Sequence, residues 1–216
     1  MELTKSSNKD ILLIERFDRI KTDQGWQRRS VLSALTLFGL DEMMARYASY
    51  GDLAEIIRHN FTDTAATLKE LFGRLIFNIL CSNTDDHTRN RAAFWDGSTL
   101  FLTPAYDICP QGRTDNETGQ SMLISADDRQ SRISSCLDSA HQFLLSEKEA
   151  MDIIAQQVSV ITECWDEVCI LADLNETDRR LFWGRQFLNP FAFENLAGDA
   201  VSIKFFADKG RAKNQV

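Results

Sequence analysis

Asp85, Asn90 and Asp107 are the residues of this chain whose types and spacing could do chemistry. Asp85 and Asn90 stand five apart in the polar run Ser82-Asn83-Thr84-Asp85-Asp86-His87-Thr88-Arg89-Asn90, and Asp107 closes Leu102-Thr103-Pro104-Ala105-Tyr106-Asp107. Carboxylates and an amide oxygen are hard donors suited to Mg²⁺, which takes one or two carboxylates and completes its shell with water and substrate phosphate. A free carboxylate beside such a centre can accept the proton of an attacking hydroxyl. Taken singly, each of these residues also reads as an ordinary turn or cap residue. His87 reads better as a loop histidine bonded to backbone than as a general base.

Such a cluster needs elements that bring its parts together. Ala92-Ala93-Phe94-Trp95 and Thr99-Leu100-Phe101-Leu102 flank Asp96-Gly97, the strongest hairpin signal in the chain. A hairpin with adjacent ends would carry Asn90 and Asp107 to one place, with Asp85 close by. Upstream, Leu68 to Cys81 repeats apolar residues over a wide helical face and delivers the chain into the polar run. Ile11-Leu12-Leu13-Ile14 reads as a buried strand entering the connector Glu15-Arg16-Phe17-Asp18-Arg19, and Asp23-Gln24-Gly25 as a turn. From Arg28 the pattern reads helical, broken near Gly39 and at Ser49-Tyr50-Gly51-Asp52. After a polar loop over 111–132, long amphipathic helices are expected over Asp152–Leu174 and Glu176–Leu188. The expected fold class is mainly α, with one short β-hairpin in the middle.

Protein kinases place an Asp that accepts the substrate proton, an Asn five residues on, and a second metal-binding Asp in this order. Here Thr84-Asp85-Asp86-His87-Thr88-Arg89-Asn90 followed by Leu102-Thr103-Pro104-Ala105-Tyr106-Asp107 resembles the paired signature of HipA-like serine/threonine toxin kinases. Ile14-Glu15-Arg16-Phe17-Asp18-Arg19 is similar to that family's hinge between lobes; Arg28-Arg29-Ser30 and Phe187-Leu188-Asn189-Pro190-Phe191 add to the likeness. The resemblance implies the helical carboxyl-terminal lobe of a kinase-like fold over 1–196, with the hinge near 14–19, the catalytic loop at 84–90 and the metal segment at 102–107. It implies Asp85 as catalytic base, Asn90 and Asp107 as Mg²⁺ ligands, and Glu15 and Phe17 as ATP (adenine) contacts, although a strand-end Glu and a core Phe would look the same. Asp86 stands where many relatives have Gly, adding a charge that either disturbs the loop or points outward. Residues 197–216 are expected as a flexible tail.

The groups that grip phosphates precede the hinge in kinases, as a Gly-rich loop and a strand Lys. The ten glycines here form no G-x-G, and only about ten residues, with Lys5 and Lys9, precede the hinge strand. The expectation is a lobe of an ATP- and Mg²⁺-dependent kinase that is inactive by itself and binds nucleotide weakly or not at all. The resemblance implies a separate amino-terminal lobe or a HipB-like antitoxin as partner, and a protein substrate linked to translation. The alternative is a non-catalytic remnant or regulatory partner-binding module; a metal-dependent phosphatase or nuclease would want a further carboxylate-rich motif. The 216 residues are 44% hydrophobic and 26% charged, with no apolar run of 18 and no signal-peptide pattern, so neither a membrane nor export is expected. Five scattered cysteines without a CxxC pair read as reduced, mostly buried thiols of a cytoplasmic protein. A net charge of −8 argues against direct nucleic-acid binding. The four tryptophans read as packing residues.

Overall fold

The computed structural model describes residues 1–112, 118–125 and 127–213. Helices dominate it, as expected, but three hairpins stand where one was expected. Strands β1 (Glu2–Ser6) and β2 (Lys9–Leu13) form an antiparallel ribbon, and β3 (Arg19–Thr22) and β4 (Gly25–Arg28) form a second. Strand β5 (Ser30–Ser33) pairs with β6 (Ala92–Trp95), which pairs with β7 (Leu100–Leu102), giving a three-stranded antiparallel sheet. The reading of a helix from Arg28 is thus corrected. Helix α1 (Ala34–Phe38) begins only after β5, where the Ser33 hydroxyl accepts from the Thr36 amide, and ends at Gly39 in the left-handed region.

The strand expected at Ile11–Ile14 is present in β2, but it is not buried. Ile11, Leu12, Leu13 and Ile14 are 37, 55, 50 and 63% exposed. A two-stranded ribbon has no second layer to cover it, so strand-forming residues stay in water on both faces. Trp26 on β4 is likewise exposed and is not a core residue.

The core sits around α3 (Thr64–Leu80), whose Leu68, Leu71, Phe72, Leu75, Ile76, Ile79 and Leu80 are fully buried. Each such side chain contributes about 1.5–3 kcal/mol of burial. The face is wide because α2 (Tyr50–Asn60), α4 (Ile133–Ser139) and α5 (Glu147–Leu171) all pack on it. The 25-residue α5 starts at a capping box in which Ser146 and Glu149 satisfy each other's backbone amides. Helix α6 spans only Glu176–Phe182; the chain then turns at Gly184, so the expected helix to Leu188 is cut short.

Within the stretch expected as a flexible tail, the described residues 197–213 are not loose. They carry α7 (Val201–Lys213), packed along α5 with Ile203 and Ala207 buried. The Trp183 indole donates to the Arg211 carbonyl at 3.0 Å, and Trp183 stacks with Trp165. Spacing of charges concealed this, because Arg211 is turned inward: its guanidinium donates to the Leu188 carbonyl at 2.8 Å and pairs with Asp208. All five cysteines are free, with Cys81, Cys136 and Cys169 buried. No described helix is long and apolar enough to cross a membrane.

Candidate active site

The polar run after α3 is held at both ends. Ser82 adopts a left-handed backbone (φ 57°) that turns the chain out of the helix, and its hydroxyl donates to the Gln186 carbonyl at 2.6 Å. The Asn83 amide donates to the Asn78 carbonyl at 2.8 Å, and the Leu188 amide donates to the Leu80 carbonyl at 2.8 Å. These bonds occupy backbone groups that the end of α3 would otherwise leave unpaired.

Asp86 does not point outward, which corrects that expectation. It is fully buried, and its Oδ2 collects the Arg91 guanidinium at 2.5 Å, the Asn78 amide nitrogen at 2.8 Å and the Tyr50 hydroxyl. Asn83 extends the network by donating to Asn78 Oδ1 at 3.1 Å. Burial pushes the Asp86 carboxyl up, while Arg91 and the two neutral donors act against that shift. Burial also pushes the Tyr50 phenol up, which keeps it a donor. Asp86 Oδ1 and Arg91 Nε are buried without a partner among the described groups.

With Asp86 anchored inward, its neighbour Asp85 faces solvent. The loop then folds back through a short 3-10 turn at Thr88–Asn90, with the His87 amide on the Asp85 carbonyl (3.0 Å) and the Asn90 amide on the His87 carbonyl (2.9 Å). Asn90 is buried, and its Nδ2 donates to the Asp85 carbonyl at 3.1 Å. That bond fixes which end of the amide faces where, and no described group donates to Asn90 Oδ1.

The hairpin does bring its two ends to one place. Its register pairs Ala93 with Leu102, and Thr103 donates from its amide to the Ala92 carbonyl at 3.0 Å. The Tyr106 hydroxyl then donates to the Arg89 carbonyl at 2.5 Å. The residue before Asp107 is thereby tied to the residue before Asn90. Asp107 itself is exposed and left-handed (φ 56°), a conformation that Asp tolerates better than most residues and that turns the chain sharply after the clamp. Among the described residues no group of three His, Cys, Asp or Glu side chains is arranged for a metal. A cation here would rest on the amide oxygen of Asn90 and on carboxylate, a donor set that suits Mg²⁺ and not zinc.

Phe17 is half-buried and packs on two hairpin-side rings, Phe94 (centroids 5.9 Å apart, edge-on) and Tyr106 (5.6 Å, tilted). Glu15 is exposed. Both line an open cleft of about 570 Å³ whose other wall includes Arg28, Arg29 and Val31. The Arg29 guanidinium lies 3.2 Å from the Phe94 ring centroid. Arg16 bonds both oxygens of Asp18 (2.8 and 2.6 Å), holding that carboxyl down at about 2, and the Asp18 carbonyl accepts from Arg29. The connector is therefore fixed against the sheet whose last strand, β7, leads into the segment ending at Asp107.

Sequence reasoning missed Tyr50, Asn78 and Arg91. The one trace was Arg91 itself, a cation at the entrance of the apolar strand Ala92-Ala93-Phe94, which has to find a buried anion.

A family model described as the HipA-like C-terminal domain matches residues 1–165. Among solved structures, a chain of the Shewanella oneidensis MR-1 toxin–antitoxin complex of HipA, HipB and operator DNA superposes with a TM-score of 0.68 at 17% identity. The match covers 99% of this chain and 50% of that one, so this chain spans half the length of its structural relative. At that identity the likeness is one of fold. No curated protein matches.

Proposed function

The chain belongs to the HipA-like C-terminal domain family, and from that premise we propose that it is the catalytic lobe of an ATP- and Mg²⁺-dependent serine/threonine protein kinase of toxin–antitoxin type. The observation that carries this reading is the Tyr106–Arg89 hydrogen bond, which couples the segment ending in Asp107 to the loop holding Asp85 and Asn90. Asp85 takes the proton of the acceptor hydroxyl and orients it, which its exposed side chain permits. Asn90 offers Oδ1, left open by the bond from its Nδ2, and Asp107 offers a solvent-facing carboxylate; these two would hold Mg²⁺. The metal, when bound, neutralises charge on the phosphate oxygens. The cleft between Glu15, Phe17 and Arg29 is where adenine would lie, against backbone of the 14–18 connector.

Residues 1–216 hold no glycine-rich phosphate loop, and taken alone they bind ATP–Mg²⁺ weakly. The exposed apolar side chains of β2, Ile14 and Trp26 are where an amino-terminal lobe would dock. The same surface favours a second reading, a partner-binding module without catalysis. An antitoxin such as the HipB of the structural relative, and a substrate connected with translation, complete the proposal.

The test supplies an amino-terminal lobe from a relative, fused ahead of residue 1 or added in trans, and follows radiolabel transfer from ATP to protein. Transfer should appear with the lobe present and fall at least 100-fold in Asp85→Asn, with the thermal midpoint unchanged because Asp85 is exposed. A hybrid that transfers phosphate equally well with Asp85→Asn would remove Asp85 from the mechanism. A hybrid that binds the lobe and never transfers phosphate would favour the binding module.

A further inference from the structure

The loop that carries Asp85 and Asn90 has a second face. His87, Thr88 and Arg89, with Arg46 and Arg129 from distant segments, line a pocket of about 350 Å³. Three arginines thus line one concavity of a chain whose net charge is −8. Like charges gather at a cost unless an anion joins them. Among the described lining residues the one acid is Glu42, 71% exposed, whose carboxylate takes Arg89 Nη2 at 2.9 Å. The pocket therefore already holds an oxyanion, on a largely exposed side chain.

The cations are placed, not splayed. Arg129 Nη2 donates to the Arg46 carbonyl at 3.0 Å, and Arg46 Nε to the Met43 carbonyl at 3.2 Å, which leaves their remaining N–H groups without a carboxylate partner among the described residues. Nδ1 of His87, on the same wall, is buried and has no partner among the described groups. Arginines brought to one pocket from three chain segments suit a phosphoryl group, which carries close to two charges and three acceptors. The volume exceeds that of a bare phosphate and leaves room for the side chain that bears it.

We propose that this pocket binds a phosphorylated serine or threonine of a protein, seated on Arg46, Arg89 and Arg129. Its place on the loop that carries Asp85 and Asn90 makes it a recognition site for a substrate already phosphorylated near its acceptor hydroxyl. That role rests on the kinase reading above; binding of the phosphoryl group does not.

The test titrates the full chain with a fluorescein-labelled peptide of five alanines with phosphoserine at its centre, and with its serine counterpart. The phosphopeptide should bind roughly tenfold or more tighter, and Arg46→Gln and Arg129→Gln should each remove most of that advantage. Both variants should keep the thermal midpoint of the parent, which separates lost recognition from lost fold. The Asp85→Asn chain should bind the phosphopeptide as the parent does, so failure of catalysis and failure of this pocket give different results. Equal affinity for the two peptides would overturn the proposal, as would an undiminished preference in the arginine variants. Displacement of the phosphopeptide by duplex DNA at equal phosphate concentration would overturn it in favour of a nucleic-acid surface.

Discussion

Replacing Asp86 by Gly tests how the candidate loop is held. The family resemblance implies glycine at that position, so by itself it predicts a harmless change. The structure predicts the reverse. Asp86 Oδ2 accepts from Arg91, Asn78 and Tyr50, and Arg91 is only 2% exposed. Removing the carboxylate leaves a guanidinium buried without its counter-charge, which costs about 3–5 kcal/mol. For a domain of this size that lowers the midpoint by about 6–20 °C, taking about 2–4 °C per kcal/mol. The assay is urea unfolding followed by tryptophan fluorescence, where the midpoint should fall with the slope unchanged. Asp86→Leu combined with Arg91→Met removes both charges together and should recover much of the loss, because an apolar pair of similar volume replaces a desolvated ion pair at little cost. An Asp86→Gly chain within about 1 kcal/mol of the parent would refute the argument and show that Arg91 finds water or another partner.

Three further outcomes are expected. In the rebuilt enzyme, Asp107→Asn should weaken Mg²⁺-dependent nucleotide binding as well as turnover, whereas Asp85→Asn spares binding; calorimetry with and without Mg²⁺ reads the difference. Asp96 is held down at about 2, chiefly by the Thr99 amide and then by the Ser98 amide and hydroxyl. A depressed folded value means stability that is present above the ordinary value of 3.8 and lost as pH falls towards about 2, so the deficit of Asp96→Asn against the parent should shrink across that window in acid-to-neutral urea titrations. Gly210→Val should destabilise by about 1–3 kcal/mol, since even a Cβ there would stand 2.5 Å from Thr162 Oγ1 and the α5–α7 contact would have to open; a midpoint unchanged in thermal melts would show that α7 is not docked as described.

The parts legible in the sequence were those fixed by local chemistry. The periodicity of α3 and the Asp96-Gly97 turn between alternating strands are written within a dozen or so residues, and both elements lie where they were expected. The order Asp85, Asn90, hairpin, Asp107 was legible for the same reason. What escaped depends on distance along the chain. Tyr50 reaches Asp86 across 36 residues and Arg211 reaches Leu188 across 23, and no local pattern marks either partner. The error at Ile11–Ile14 has another source: an apolar run reports strand propensity, but burial needs a covering layer that these four residues cannot announce. Strand β5 was read as helix because Ser30–Ser33 acquires its extended form from pairing with β6, far along the chain at Ala92–Trp95.

The clip between Ser82 and Gln186 sets an order of events in time. It joins residues 104 apart, and with the Leu188-to-Leu80 bond it fixes the near end of the acidic loop. On a ribosome adding about 5–20 residues per second, the partner segment is made roughly 5–20 s after Ser82 itself. Helix α3 and the hairpin can form from nascent chain during that interval, since their contacts are local, while the loop between them still lacks its lower anchor. The acidic loop is therefore among the last features to be completed, and the newly made protein passes through a stage with a formed core and an unfinished centre.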